Sequence, residues 1–229
     1  MEEKKHIGQL FDNIAHTYDK FNHILSLNID KKWRRKAVRP MVPAEEVLDV
    51  AIGTADLTIE LLRQGKAKHI TGIDLSAEMM KIGTQKVAAS GLEDKVCFRL
   101  EDALQMSFPD NSFDALTCAY GVRNFSDLDK GLSEFYRVMR PGAELMILEF
   151  SYPNSPIVRL FYDFFFTHIM PVMGGAISKD KKAYVYFKNS VKQFIWGEKM
   201  VNRLEKAGFK NCTFRAMSCG ISTVYYAKK

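Results

Sequence analysis

The things this sequence has little of narrow its class before any motif is read. No uncharged run reaches the roughly 18 residues that a membrane-spanning helix needs. The opening Met1-Glu2-Glu3-Lys4-Lys5-His6 lacks the apolar core of a secretion signal. A cytoplasmic protein is expected, soluble or touching a membrane only from its surface. Cysteines are few, and Cys97, Cys118, Cys212 and Cys219 form no Cys-x-x-Cys or Cys-His cluster, so no metal site is expected. Two of them lie in apolar runs that read as buried strands, which predicts reduced core thiols. Repeats and low-complexity tracts are also missing. What is present is 229 residues with 47% hydrophobic content, enough for one sizeable core with an appendage. A formal charge of +6 and a pI near 9.0 permit attraction to acidic lipid headgroups, phosphates or nucleic acid without choosing among them.

The chain is organised around Val47 to Leu62. Val47, Leu48 and Val50 form a β-prone run, Gly53 supplies a turn position without a Cβ, and Leu57, Leu61 and Leu62 recur at helical spacing. A strand, tight turn and helix of this kind cradle ligands at the carboxyl edge of an open α/β sheet. Lys68 to Asp74 reads as a second strand, with Ser76 capping the helix that carries Met79, Met80 and Val87. Val96 to Asp102 is a third strand and Phe113 to Ala119 a fourth, running into Tyr120-Gly121-Val122-Arg123-Asn124. Ser126 and Asp129 suit a capping box, and the helix that follows presents Leu128, Leu132, Phe135, Tyr136 and Met139 before stopping at Arg140-Pro141-Gly142. Leu145 to Phe150 is apolar enough for a fifth strand buried on both faces. After an interruption at about 151–192, a helix over Glu198 to Ala207 precedes two closely spaced strands, Asn211 to Met217 and Ser222 to Ala227, which predict an antiparallel finish. The expected fold is therefore α/β, with a mostly parallel sheet and an antiparallel final strand.

Two segments stand outside this alternation. Ile7, Leu10, Phe11, Ile14, Tyr18 and Phe21 share one helical face, so residues 1–40 form a helical preface to the 41–229 domain. It serves either as a lid over the carboxyl ends of the strands or as a helix packed outside. Within the interruption, Ile157 to Met170 is rich in aromatics but broken by Arg159, Asp163 and His168. A core helix is the favoured reading, ahead of a wall for a greasy substrate or an interfacial helix.

The turn also indicates a ligand. Dinucleotide binding calls for three glycines, whereas Ala51-Ile52-Gly53-Thr54-Ala55-Asp56 has one, so NAD is disfavoured. Asp74 lies 21 positions beyond Gly53 at a strand tip, where a carboxylate can accept both hydroxyls of a ribose. Asp102, at the next tip, suits an adenine amino group, though an acid in an exposed loop reads as well. With Asp49 near a cationic end, the pattern describes S-adenosylmethionine.

At these residues the chain resembles a class I methyltransferase of Rossmann-like fold, whose Asp-x-Gly-x-Gly-x-Gly turn corresponds to Asp49, Ala51, Gly53 and Ala55. More narrowly, it is similar to the quinone-biosynthesis C-methyltransferases. Phe11 to Asn22 with Trp33-Arg34-Arg35, Tyr120 to Asn124 through Arg137 to Gly142 and Leu148 to Ser151, and Tyr184 to Val191 with Ala207-Gly208-Phe209 carry that resemblance along the chain. It implies that Thr54, Asp74, Asp102 and Ala103 hold cofactor, and that Ala119 replaces a serine found in many relatives. The implied reaction moves a methyl from a sulfonium to a ring carbon of demethylmenaquinol, or of the benzoquinol precursor of ubiquinone as the alternative. Arg123 could stabilise a phenolate, and Tyr120 or Asn124 could orient it; a structural ion pair is the competing role for Arg123. His16 and His23 are candidate bases, with a structural role for each and a base acting through water as the alternatives. The expected partners are a prenylated quinol, a membrane surface met peripherally at its inner face and a second copy of the chain. A nucleic-acid methyltransferase, suggested by charge alone, is disfavoured, and nucleic acid is not an expected partner.

Overall fold

Alternation with period 2 along each central strand builds two cores, one on either face of a single sheet. Leu48 and Val50 join Leu116, Cys118, Leu145 and Ile147 in one buried cluster, whereas Val47 joins Ala115, Met146 and Leu148 in the other. The computed structural model describes residues 8–9, 11–12, 15–16, 26, 28–153, 155–169 and 181–229. Its sheet comprises β1 (Ala44–Val50), β2 (Ala67–Asp74), β3 (Val96–Leu100), β4 (Phe113–Ala119), β5 (Met139–Phe150), β6 (Lys210–Met217) and β7 (Ser222–Lys228). The spatial order is β3-β2-β1-β4-β5-β7-β6. Neighbours from β3 to β5 are parallel, and β7 runs antiparallel to both β5 and β6. Because strand order reverses at β1, a crevice opens above the carboxyl ends of β1 and β4.

Helices cover both faces. These are α1 (Ile29–Val38), α2 (Asp56–Arg63), α3 (Ala77–Ala89), α4 (Leu128–Val138), α5 (Pro156–Phe164), α6 (Lys181–Gln193) and α7 (Glu198–Lys206). Leu132 and Phe135 of α4 and Met200 and Leu204 of α7 fill the first core. Trp33 and Ala37 of α1 and Leu57 and Leu61 of α2 fill the second. The basic run around Trp33 thus folds as an amphipathic helix, pinned by the indole N–H donating to Ser218 Oγ at 2.8 Å.

Four local expectations are corrected. Asp127, not Ser126, caps α4, its carboxylate accepting the Lys130 N–H at 3.0 Å. Met139 opens β5 instead of closing the helix, because it pairs with Phe113 across the sheet, and Gly142 is left-handed at φ 82°. Cys118 alone among the cysteines is buried; Cys97 lies exposed on edge strand β3. Finally, α5 is not a core helix: Ile157, Leu160, Phe161 and Phe164 are 70%, 70%, 68% and 56% exposed. A π-helical turn, Phe165–Ile169, continues it. No helix among the described residues is long and apolar enough to cross a membrane.

Candidate active site

The β1–α2 turn departs from ordinary backbone three times. Ala51, Gly53 and Ala55 have φ of 55°, 52° and 64°. Glycine adopts this region freely, but a Cβ there costs about 1 kcal/mol or more. The turn is stapled to β2 by the Ile52 N–H donating to the Ile73 carbonyl at 3.0 Å. Facing groups make room for the two alanine methyls. A Cβ on Gly121 would lie 2.6 Å from that of Ala51, and one on Gly83 would lie 3.3 Å from that of Ala55.

Asp74, at the end of β2, ties this turn to the next helix. Its Oδ2 accepts the Gly53 N–H at 2.8 Å and its Oδ1 accepts the Ser76 N–H at 2.9 Å. Burial raises its pKa, and those N–H groups oppose the shift. The preface meets the same corner: the Ser76 hydroxyl donates to Asp12 Oδ1 at 2.6 Å. Asp102 follows the tip of β3 and accepts the Leu104 N–H at 2.9 Å.

These groups line a cleft enclosing about 830 Å³, its open mouth included, whose walls hold Gly53, Asp74, Asp102, Ala103, Tyr120 and Asn124. That size suits a small-molecule site. Gly8 and Phe11 of the preface border it too, as do Ile73, Leu75, Met79 and Leu104. Apolar walls for a flat base, with an acid at the tip of the second strand for a ribose, fit the adenosine part of S-adenosylmethionine. A recess behind the turn shares Ala51, Gly53, Ala119 and Tyr120 with the cleft and adds Arg34, Asp49, Thr54 and Asp56. Asp49 is buried at the recess floor and accepts hydroxyl protons from Thr58 at 2.6 Å and Thr117 at 2.8 Å. Desolvation pushes its carboxyl up to about 6, although both hydroxyls pull the other way.

The Tyr120–Asn124 segment divides into wall and support. Tyr120 is left-handed at φ 60° and stacks on Phe150 with ring centroids 4.3 Å apart. Its hydroxyl is buried, and burial raises the phenol pKa well above its usual range. The ring, not the hydroxyl, is what Tyr120 brings to the cleft. Asn124 Oδ1 accepts the Tyr186 hydroxyl of α6 at 2.9 Å. Arg123 borders neither cavity. Its guanidinium meets Glu149 at 2.9 Å, donates to the Tyr120 carbonyl, and lies within 5.4 Å of the Phe150 and Phe187 ring centroids. Burial pushes the Glu149 carboxyl up and Arg123 pulls it down. His16 is exposed, and His23 lies outside the described residues.

Sequence reading did not find Arg34, Asp56, Gly8 or Ser76 as cavity residues. Arg34 was hidden in a basic run, and only the fold turns it inward.

A switch-point cleft with a left-handed turn after β1 and a half-buried acid at the tip of β2 defines a class I S-adenosylmethionine-dependent methyltransferase. Over residues 1–229 the sequence matches the ubiE/COQ5 methyltransferase family, and the chain belongs to that family. It is 42% identical to a demethylmenaquinone methyltransferase of Bacteroides fragilis, across 100% of this chain and 94% of that protein. It is 40% identical to a ubiquinone/menaquinone biosynthesis C-methyltransferase UbiE of Geotalea daltonii, across 100% and 98%. The fold is also that of the [4+2]-cyclase SpnF, with a TM-score of 0.72 at 17% identity over 99% of this chain and 96% of that one. A methyltransferase of Thermotoga maritima gives a TM-score of 0.70 at 18% identity over 96% and 99%.

Proposed function

We propose that the protein methylates a ring carbon of a prenylated quinol, with demethylmenaquinol as the acceptor. The full-length similarity to demethylmenaquinone methyltransferases carries this reading. When bound, S-adenosylmethionine supplies a methyl group on a positively charged sulfur. Asp74 and Asp102 hold the adenosine part, with Ala103 beside them, while Gly53 and Thr54 let the turn approach closely. Asp49 adds negative charge behind the turn. The acceptor's phenol loses its proton to solvent, which places negative charge on the ortho carbon. Attack by that carbon would take up the methyl group that the cofactor supplies, and the ring proton would then leave to restore aromaticity. Tyr120 and Asn124 shape the acceptor side, Asn124 being oriented by Tyr186. Arg123 is a positioning residue: paired with Glu149, it fixes the Tyr120 carbonyl and thereby the backbone that presents Asn124. The preface residues Gly8, Phe11 and Asp12 act as a lid.

A prenylated acceptor resides in a bilayer. The α5 stripe of Ile157, Leu160, Phe161 and Phe164, with Arg159 on the same helix and the net charge of +6, suits contact with an acidic membrane surface. The deciding assay supplies S-adenosylmethionine and follows methylated product by mass spectrometry with reduced naphthoquinol, reduced benzoquinol and oxidised naphthoquinone kept anaerobic. Turnover is expected with the reduced naphthoquinol. An oxidised ring is too electron-poor to attack a sulfonium, so equal rates for oxidised and reduced acceptor would refute the mechanism. Preference for the benzoquinol would reassign the substrate.

A further inference from the structure

Helix α6 is held on one side by α5, the helix that carries the exposed apolar stripe. Lys188 and Lys192 lie four residues apart and so share one face of α6. Lys192 Nζ meets Asp163 Oδ1 of α5 at 2.7 Å, and Lys188 Nζ donates to the Thr167 hydroxyl in the π-helical turn at 3.0 Å. The other oxygen of Asp163 accepts the hydroxyl of Tyr152, just beyond β5, at 2.6 Å. Lys192 foremost, together with Tyr152, holds the Asp163 carboxyl below the usual carboxylate range, so it is ionised at neutral pH. The clasp closes over the Tyr152 ring, whose centroid lies 5.1 Å from Lys192 Nζ and 5.0 Å from the Arg159 guanidinium carbon.

The other side of α6 meets the cleft. Tyr186 is rotated about 200° from Lys188 around the helix axis, and its hydroxyl donates to Asn124 Oδ1 at 2.9 Å. Phe187 packs edge-on against Phe150 with ring centroids 5.0 Å apart, and Phe150 backs the Tyr120 ring. Asn124 and Tyr120 both line the cleft. Apolar packing does little to fix α6, because among its described side chains only Val191 is buried. The polar contacts on its two faces therefore set the rotation of the helix and the place of Tyr186.

We propose that Asp163 is a positioning residue for the methyl acceptor: by holding Lys192 and Tyr152 together it sets α6, and through Tyr186 it sets the Asn124 amide on the acceptor side of the cleft. This rests on the acceptor reading above. The same helix thus bears the exposed stripe on one face and, through the clasp, the support of the acceptor wall on another. Because the Asp163–Lys192 pair is more than a third exposed on each side, it adds little to stability. Its effect falls on geometry.

The test is a double-mutant cycle on Asp163→Asn and Tyr186→Phe, with a tail-less reduced naphthoquinol in solution so that membrane contact does not enter. Each single variant should lose roughly tenfold in kcat/KM for the acceptor, the scale of a small misplacement at the reacting centre. The affinity for S-adenosylhomocysteine in calorimetry and the melting temperature should hardly move. If Asp163 acts through Tyr186, the double variant loses no more than the worse single one. Lys192→Gln opens the clasp from the α6 side and should reproduce the pattern, which covers the case in which Asp163→Asn fails to fold. Losses that multiply in the double variant would show that Asp163 does not act through Tyr186 and overturn the proposal. So would full activity in both clasp variants, or a loss of cofactor affinity and melting temperature matching the loss of turnover. A wild type that methylates no quinol would refute the acceptor reading, and this inference with it.

Discussion

Burial pushes the Asp49 carboxyl up to about 6, and the hydroxyls of Thr58 and Thr117 offset only part of that. A carboxylate in the unfolded chain titrates near pH 4, so the folded state holds this proton more tightly. Its contribution to stability is greatest below about pH 4, falls as pH rises towards 6, and stays low above that. Asp49→Asn removes the charge and keeps the shape. The variant should gain about 1–3 kcal/mol over wild type at pH 8 and lose that advantage near pH 4. Thermal melts at both pH values check this; an advantage independent of pH would show that ionisation of Asp49 costs the fold nothing. The same variant should bind positively charged S-adenosylmethionine less well, with a smaller loss for neutral-sulfur S-adenosylhomocysteine. Asp74 behaves differently because its oxygens are committed to Gly53 and Ser76. Asp74→Ala should weaken cofactor binding by about 1.5–3 kcal/mol, the scale of lost hydrogen bonds to a charged group, and should also lower the melting temperature. Unaltered affinity in calorimetry would remove Asp74 from the ribose site.

At the scale of elements, the β1–α2 turn works because opposing positions exchange size. Ala51 carries a methyl where the motif usually has glycine, and Gly121, after β4, has none where one would collide. Gly121→Ala would bring a new Cβ to 2.6 Å from Ala51 and 2.8 Å from Cys118 Sγ. Overpacking of this kind costs about 1–3 kcal/mol, and adding Ala51→Gly should recover part of it. Denaturant unfolding measures both; no loss in the single variant would mean that the turn is slack. Much of this architecture is legible in the chain itself. The five parallel strands, the Gly53 turn and the Asp74 tip follow from alternation and spacing, which are local properties. What is not legible depends on long-range order. Cys97 reads as buried until β3 proves to be an edge strand, and Met139 reads as helical until Phe113 pairs with it. Arg34 reads as solvated because nothing near it in sequence reveals Asp56 or Tyr120. Arg123 was legible as important, but its partner Glu149 lies 26 residues away on β5.

For the whole molecule the proposed prenylated acceptor sets the requirement, since a catalytic edge would have to meet a substrate held in lipid. Ile157, Leu160, Phe161 and Phe164 recur at i, i+3, i+4 and i+7, so they form one stripe, and each is more than half exposed. Water alone would disfavour such a stripe, whereas a bilayer interface would accommodate it. At its margin Lys192 is neutralised by Asp163 at 2.7 Å, whereas Arg159, donating to the Pro153 carbonyl at 2.7 Å, keeps its positive charge. We expect the protein to sediment with vesicles containing acidic lipid and to be released partly by salt, which screens the charge contribution but not apolar insertion. Replacing Leu160 and Phe161 by serine removes apolar surface worth roughly 1.5–3 kcal/mol per side chain when fully buried, so vesicle affinity should fall at least about tenfold. Because both side chains are exposed in the fold, stability should shift by no more than about 0.5 kcal/mol. Turnover of a tail-less quinol should be unchanged, and only that of a long-tailed acceptor presented in vesicles should drop. A marked loss of stability would return α5 to the core. Equal loss of turnover on both acceptors, with vesicle binding intact, would make the stripe part of the substrate cleft instead of a membrane contact.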